Sequence, residues 1–378
     1  MVSVKSRVSA KTMGRLRLAS QGLLAPAPGE PAGFASVEEC VRHMTAMQAQ
    51  DLASALWAVG QRVPGSTASD VRASLDSGTV VRSWPFRGTL HLVPAQDLRW
   101  MLEITGGRMV RAVAGRHREL AITPEDIAHC RDIAGELLAS GNGATREQLF
   151  EAFEENGQIT KAQRGVHLLW SLCLRGWLVQ GPMAGTNGKA AGQQRFMPFE
   201  EWIPESREVD RDEGITELLT RYLRSHGPAT LDDFCWWTQI PKTEAKAGLG
   251  RISGELVELE FEGTSYWTPP ETASLLDDGV PGARSVLALP GFDQFLLGYK
   301  DRSLVLAPEH AGKVVPGGNG VFKRIIVSGG SVVGTWARSG TGRSAAVVPE
   351  PFDADGLPPA AVRSFEVEAA KYLKFMAG

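Results

Sequence analysis

Three helices followed by a pair of alternating strands, the order recurring three times, and then strands separated by glycine turns: this order predicts an α+β fold. Its parts would be three tandem winged helix-turn-helix units and a C-terminal β-rich unit. The clearest copy runs from about residue 212 to 268. There "DEGITELLTRYLRSHG" puts Ile215, Leu218, Leu219, Tyr222 and Leu223 at helical spacing before a glycine stop. Thr230 opens a short second helix in "PATLDDFCWWTQ", and "PKTEAKAGLGRIS" supplies a third. "LVELEFEGTSYWTP" then alternates as a hairpin about Glu262-Gly263.

The same order occupies about residues 124 to 199. Its helices are "PEDIAHCRDIAGELLASGNG", "ATREQLFEAFEENG" with Thr145 as cap, and "ITKAQRGVHLLWSLCLRG". A wing from Trp177 to Phe196 follows, with a glycine-rich tip in "GPMAGTNGKAAGQQ". A looser copy spans about 36 to 94: "SVEECVRHMTAM", "LASALWAVGQR" and "TASDVRASLDSGTVV", then the strand "RGTLHLVP". From about residue 284 the character changes. "SVLALPGFDQFLLG", "RIIVSGGSVVGTWARSG" and "SAAVVPEPF" are strand-like, and "PPAAVRSFEVEAAKYLKFM" is a closing amphipathic helix. The expected division is 1–122, a basic N-terminal arm with the first winged helix; 123–208, the second; 209–283, the third; and 284–378, the β-rich unit.

At 378 residues the chain is too long for one small core. No apolar run approaches the ~20 residues that cross a bilayer, and the basic N-terminus lacks the apolar stretch of a secretory leader. A cytoplasmic protein with no membrane partner is expected. Cys40, Cys130, Cys173 and Cys235 are scattered without a CxxC pair, which reads as buried reduced thiols and no zinc. A net charge of −3 argues against a strongly basic nucleic-acid binder. The signs are nevertheless segregated. Lys5, Arg7, Lys11, Arg15 and Arg17 precede the first acid, Glu30. A second basic stretch holds Arg82, Arg87, Arg99, Arg108, Arg111, Arg116 and Arg118 against Asp97 and Glu103, and acids gather at 200–213 and 255–278. Such segregation permits one basic face, and serves equally as solvated helix faces.

The motif that interrupts the hydrophobic pattern is "AMQAQDLASALWAV", with Gln48 and Gln50 on either side of Ala49. Glutamine is neither acid nor base near neutral pH, so its amide works by positioning. Asp51 reads as the cap of a new helix, which places the two glutamines in an extended joint where residues two apart can face the same way. They form a paired-amide site there, or are solvated and cap helix ends. In "RGTLHLV", Arg87, Thr89 and His91 share one strand face and Leu90 and Leu92 the other. The first row would contact phosphates or a base, or be a solvated wing face. "GTGRSA" sits between strands rather than opening a helix, and "GTNGKA" lacks the first glycine and the hydroxyl residue of a phosphate loop, so neither is a nucleotide site. No GxSxG elbow and no metal-spaced histidine pair occurs. In the C-terminal unit "KVVPGGNGVFKRIIVSGG" joins a glycine-rich loop to a strand carrying Lys323 and Arg324, a phosphate clamp or an ordinary surface loop. "GFDQFLLGYKDR" places Asp293 and Arg302 near a strand end, where Asp293 orients a glutamine or water, or caps its own turn.

"QAQD" at the first helix joint, "FRGTLHLVPAQDL" on the following wing and "LPGFDQFLLGYKDR" near residue 290 together resemble the AlkZ-type bacterial DNA glycosylases, over nearly the whole chain. The resemblance implies three winged helices around a concave basic surface, and a catalytic Gln-apolar-Gln motif matched here by Gln48 and Gln50. Ala49 is smaller than the bulky aliphatic expected between them. It also implies excision of N7-alkylated purines from double-stranded DNA, and in some members the unhooking of interstrand crosslinks. Such a base is already a cation, so its departure needs little protonation. The enzyme must stabilise an oxocarbenium-like sugar and hold a water at the anomeric carbon, which two amide carbonyls suit. No lysine Schiff base, cofactor or metal is called for, so a monofunctional reaction is expected. An open concave surface would tolerate a bulky crosslink that a tight flipping pocket rejects.

Two readings compete. One is a winged-helix transcription regulator without catalysis, since fold alone does not decide function. A regulator reads base edges through its third helix and usually dimerises on a palindrome. Here one chain already holds three units, and "TASDVRASLDSG" is poor in Arg, Asn and Gln, which favours a monomer that reads damage or shape. The other is a scaffold that binds damaged DNA without turnover.

Overall fold

The computed structural model describes residues 3–4, 8–25, 30–185, 192–340 and 342–378. Helices and strands alternate along it in the predicted order. Helices Val37–Met44, Leu52–Gly60 and Ala68–Asp76 precede strands Val80–Phe86 and Thr89–Pro94. Helices Pro124–Leu138, Arg146–Glu155 and Arg164–Leu174 precede strands Leu178–Met183 and Gln194–Pro198. Helices Arg211–His226, Leu231–Thr238 and Lys242–Ile252 precede strands Val257–Phe261 and Thr264–Thr268. The local causes are those the sequence advertises. Thr123, Thr145 and Thr230 each accept an N–H from three residues on, and that residue's side chain accepts the threonine N–H in return. Two hairpins close in two residues, Arg87-Gly88 and Glu262-Gly263. Their φ values of 56°, 70°, 50° and 75° belong to the mirror-image turn that follows the twist of the strands.

The chain forms two compact units, Met1–Val71 with Ile215–Gly378, and Arg72–Gly214. The divide falls inside helix Ala68–Asp76, so the first two helices of the first trio belong with the third trio, and its hairpin with the second. In the 72–214 unit that hairpin and the next share one antiparallel sheet, ordered Thr89–Pro94, Val80–Phe86, Leu178–Met183, Gln194–Pro198. Helices close a core of Ile127, Cys130, Leu149, Phe153, Leu168 and Leu172 in this unit. Of the expected wing tip, residues 186–191 lie outside the described residues.

Among the described residues, two sheets lie wholly within the discontinuous unit. Ser3–Val4 runs parallel to Val257–Phe261, which pairs antiparallel with Thr264–Thr268. The second sheet runs Val286–Leu289, Ile325–Ser328, Ser331–Ser339, Ala346–Pro351, all antiparallel. The closing helix Pro359–Ala377 packs on Val286–Leu289 and on Leu52–Gly60, where Trp57 meets Tyr372 at 5.4 Å and Phe375 at 5.2 Å. Met13, Leu16, Leu259, Leu289, Phe295 and Val327 fill the core.

The N-terminal basic stretch is only partly an arm. Arg17, on helix Ala10–Ser20, is buried with its guanidinium 3.6 Å from the Tyr299 ring centre, and its Nε donates to Pro228 O at 2.9 Å. Arg15 donates to Val280 O at 2.8 Å. Both are spent on packing, because the apolar face of this helix is buried and their stems follow it inward. Lys5 and Arg7 lie outside the described residues. Cys40, Cys130 and Cys173 are buried, Cys235 half-buried, and all four are free thiols. Burial pushes Cys40 and Cys130 up to about 12, so they stay protonated and inert. No helix among the described residues is long and apolar enough to cross a membrane.

Candidate active site and nucleic-acid interface

The glutamine joint is built by a reversal of the backbone. Helix Val37–Met44 ends at Thr45, whose φ of 66° and ψ of −52° are costly for a β-branched residue. Ala46 N–H donates to Met44 O at 2.7 Å, closing a γ-turn of the rare positive-φ kind. Thr45 is wholly buried there. The chain leaves the turn extended through Met47–Gln48, and Asp51 then caps helix Leu52–Gly60. The Asp51 carboxylate accepts from Ser54 N at 3.2 Å and from its hydroxyl at 2.6 Å. Gln48 to Gln50 thus lie in the joint between two helices, as the spacing predicts, extended as far as Gln48 and bending at Gln50, with a fixed turn before them and a helix cap after. Gln48 and Ala49 are buried, and Gln50 is exposed.

Beneath the joint lies a polar layer. Helix Gln294–Leu297 packs against Met47–Gln48 and is capped by Asp293, whose Oδ1 accepts from Phe295 N at 2.9 Å. The same carboxylate receives two bonds from Arg62, at 2.9 and 3.1 Å, and both side chains are fully buried. Arg62 also donates to Ala58 O, Gln21 O and Gln21 Oε1. Burial works against the charge on Arg62, the Asp293 carboxylate more than restores it, and the guanidinium is held firmly protonated. Of the two roles the sequence leaves open to Asp293, capping its own turn is seen, together with a partner the sequence did not suggest. Next to it, Gln294 Oε1 accepts the Trp237 indole N–H at 3.1 Å and lies 3.3 Å from His226 Nε2. Burial lowers His226 to about 3, so this ring is neutral beside the Arg62–Asp293 pair.

The glycine-rich loop ends against the same place. A Cβ on Gly291 would lie 2.7 Å from Phe322 O and 3.6 Å from Ser54 Oγ, so only glycine lets the loop pass. Phe322 is anchored between Phe292, at 6.2 Å, and the Arg302 guanidinium, at 5.1 Å. Arg302 also covers Trp236 at 4.9 Å and donates to Leu296 O at 2.9 Å, which makes it a packing residue. Lys323 and Arg324 stand just before strand Ile325–Ser328 rather than on it. Lys323 is exposed, 3.8 Å from Glu350, and Arg324 is half-buried, 5.3 Å from the Trp336 ring centre. Asp293 and the end of this loop therefore meet around Gly291, beside the helix that follows Gln50.

In the 72–214 unit the expected row on "RGTLHLV" is not found. Arg87 lies in the turn and not on the strand, and Thr89 is half-buried. His91 is fully buried, its Nδ1 2.8 Å from Thr89 O. Burial, then the Arg87 charge, hold it near 3, so it is neutral and enclosed. The cause is tertiary: both faces of Thr89–Pro94 are covered, which strand alternation alone does not disclose. Arg116 is exposed on helix Ala114–Glu119, bonded to Glu119 at 2.8 Å and to Gln163 Oε1 at 3.2 Å. A Cβ on Gly88 would lie 3.8 Å from Trp170, so the Arg87 turn and Arg116 both border helix Arg164–Leu174. Arg108, Arg111 and Arg118 are exposed as well. A cleft of about 650 Å³ in this unit, lined by Arg99 with Glu103, Glu200, Glu208 and Asp210, has the wrong sign for a phosphate.

The sequence model of a family described as "DNA glycosylase AlkZ-like" matches residues 41–375. A curated relative from Streptomyces sahachiroi, named interstrand DNA cross-link repair glycosylase, is 27% identical over 353 residues, 90% of this chain and 91% of the relative. The solved structure of Streptomyces sahachiroi DNA glycosylase AlkZ superposes with a TM-score of 0.78 at 25% identity, covering 98% of this chain and 97% of that one.

Proposed function

The chain belongs to the AlkZ-like DNA glycosylase family, and on that premise we propose that it excises N7-alkylated purines from double-stranded DNA, with Gln48 and Gln50 as its catalytic residues. Membership of a glycosylase family sets aside the regulator and the scaffold. The observation that supports the assignment to the glutamines is the Gln48–Gln50 joint, held between the Thr45 γ-turn and the Asp51 cap. Positioned amides act only if their backbone does not move, and this one is tied at both ends and from below.

In the proposed reaction the N7-alkylated base carries the positive charge. The C1′–N9 bond breaks and its electron pair neutralises the base, while charge develops on the sugar. The glutamine carbonyl oxygens face that charge and hold a water, whose oxygen bonds to C1′ and whose proton passes to solvent. No covalent enzyme intermediate forms. We read the helical trios as three winged helices, bounded at 1–122, 123–208 and 209–283, with 284–378 closing a concave basic surface, and the protein as a monomer. The relative's named activity supports crosslinked DNA as a second substrate. The test is excision from N7-methylguanine duplex, read as alkali-labile sites. Gln48→Ala and Gln50→Ala should each slow it about tenfold or more, the cost of a lost positioned hydrogen bond, with duplex affinity little changed. A double variant cleaving at the wild-type rate would remove both residues from the mechanism.

A further inference from the structure

One cluster in the 72–214 unit is not accounted for by the glutamine reading. His117 on helix Ala114–Glu119 and His167 on helix Arg164–Leu174 stand edge to face, 5.3 Å apart at 86°. Trp170 meets both, at 6.4 Å and 6.2 Å. His117 Nε2 and His167 Nδ1 are themselves shielded from solvent and have no hydrogen-bond partner among the described residues, while both rings as a whole are half-buried. Arg175 acts on His117 and Arg116 on His167, and both arginines are exposed. The nearby acids are already engaged: Glu119 pairs with Arg116 and Asp126 with Arg164. The Arg87 turn borders the same tryptophan.

We propose that His117 and His167, packed edge-on with Trp170 and flanked by the charges of Arg175 and Arg116, form a phosphate-contact site for the DNA backbone that takes up protons as the duplex binds. The proposal rests on the DNA substrate of the family and not on the role of the glutamines. In the free protein each imidazole is kept neutral, first by partial burial and then by neighbouring positive charge, so both titrate below the ordinary histidine value. The groups facing them are His167 and Arg175 for His117, and Arg116 for His167, none of them negative. A backbone phosphate supplies the missing opposite charge and raises both. The sign follows: the bound form holds more protons than the free form, so affinity rises as pH falls through the bound-state value and levels off below the free-state value. Each unit by which phosphate raises one histidine is worth about tenfold in affinity. The two new charges also steepen the salt dependence at low pH.

The experiment uses the full chain and an undamaged duplex at constant ionic strength, with anisotropy titrations from pH 8 to 5.5. Calorimetry in buffers of different ionisation enthalpy counts protons taken up. All binding is measured in the Gln48→Ala background, with excision by the unmodified chain followed separately, so the two readings fail independently. Wild-type histidines should give about tenfold or more tighter binding at pH 5.5, with net proton uptake. His117→Gln with His167→Gln should flatten the profile while near-ultraviolet circular dichroism stays unchanged. His129→Gln and His310→Gln should leave it intact. PH-independent affinity, a slope surviving in the double variant, or a slope abolished by His129→Gln would each overturn the proposal.

Discussion

Replacing Asp293 with alanine should uncouple the support of the glutamine joint. It leaves the Arg62 guanidinium fully buried without its two carboxylate bonds of 2.9 and 3.1 Å, and it removes the cap on Phe295 N. Breaking a buried ion pair by deleting one partner costs about 3–5 kcal/mol. Losing a helix cap adds about 1 kcal/mol. The sum, about 4–6 kcal/mol, is comparable with the whole stability of many domains. Asp293→Asn keeps an acceptor for Phe295 N and one for Arg62 while losing the charge, and should cost about 2–3 kcal/mol. A chain of two units does not unfold in one step, so a global melting curve is the wrong readout. Hydrogen exchange in peptides covering Leu52–Gly60 and Gln294–Leu297 reads the local opening energy directly. Protection there should fall by about three to four orders of magnitude in Asp293→Ala. Protection in peptides from 72–214 should hold. A loss worth less than about 1 kcal/mol, the range of exposed pairs such as Arg131–Asp132, would refute the supporting role.

Three further outcomes are expected. His91 and His226 have folded values of about 3 against an ordinary 6.5, so the unfolded chain binds the extra protons between those values. Stability should be complete above pH 6.5 and fall by about 1.4 kcal/mol per pH unit for each histidine on the way to pH 3, and His91→Phe should blunt the acid loss in exchange measured on 72–214. Affinity for undamaged duplex should drop steeply with salt, and Arg87→Glu or Arg116→Glu should weaken binding alike on all sequences; a salt-independent interaction would contradict a backbone-phosphate mode. Shortening Pro316–Gly320 with Lys323→Ala and Arg324→Ala should lower binding and excision together if the loop clamps DNA, whereas unchanged activity at unchanged stability would make the C-terminal unit a structural cap.

What the sequence discloses here is what neighbours along the chain decide. Thr145 and Thr230 announce helix starts because their partners are three residues on, and Glu262-Gly263 announces a hairpin because the turn needs positive φ in two successive residues. The helix joint at Gln48–Gln50 is legible for the same reason, since Asp51 caps the next helix. The features that escaped are pairings across long stretches of chain. Arg62 meets Asp293 across 231 positions, and nothing within ten residues of either hints at it. Arg17 reads as a surface cation until Tyr299 closes over it. His91 reads as an outward-facing residue until the sheet is covered on both sides. The γ-turn at Thr45 left no signal beyond its place between a helix and the glutamines, because a threonine there is held by its surroundings and not by its own preference. His117 and His167 escaped because their 50-residue separation has no ligand spacing to notice.

The 231-residue gap between Arg62 and Asp293 is also an interval of time. A ribosome adding 5–20 residues per second leaves Arg62 waiting roughly ten to fifty seconds for its carboxylate. During that wait Arg72–Gly214, one uninterrupted stretch, is already available to fold. The segment bearing both glutamines emerges early but is secured late, once helix Gln294–Leu297 and the closing helix Pro359–Ala377 have been made. A chain interrupted before Asp293 thus carries the whole Gln-Ala-Gln run with no floor beneath it. Birth order keeps the Gln-Ala-Gln run slack until Asp293 and the helices after it have been made, and pulse proteolysis of stalled chains would show the segment around the glutamines becoming resistant only then.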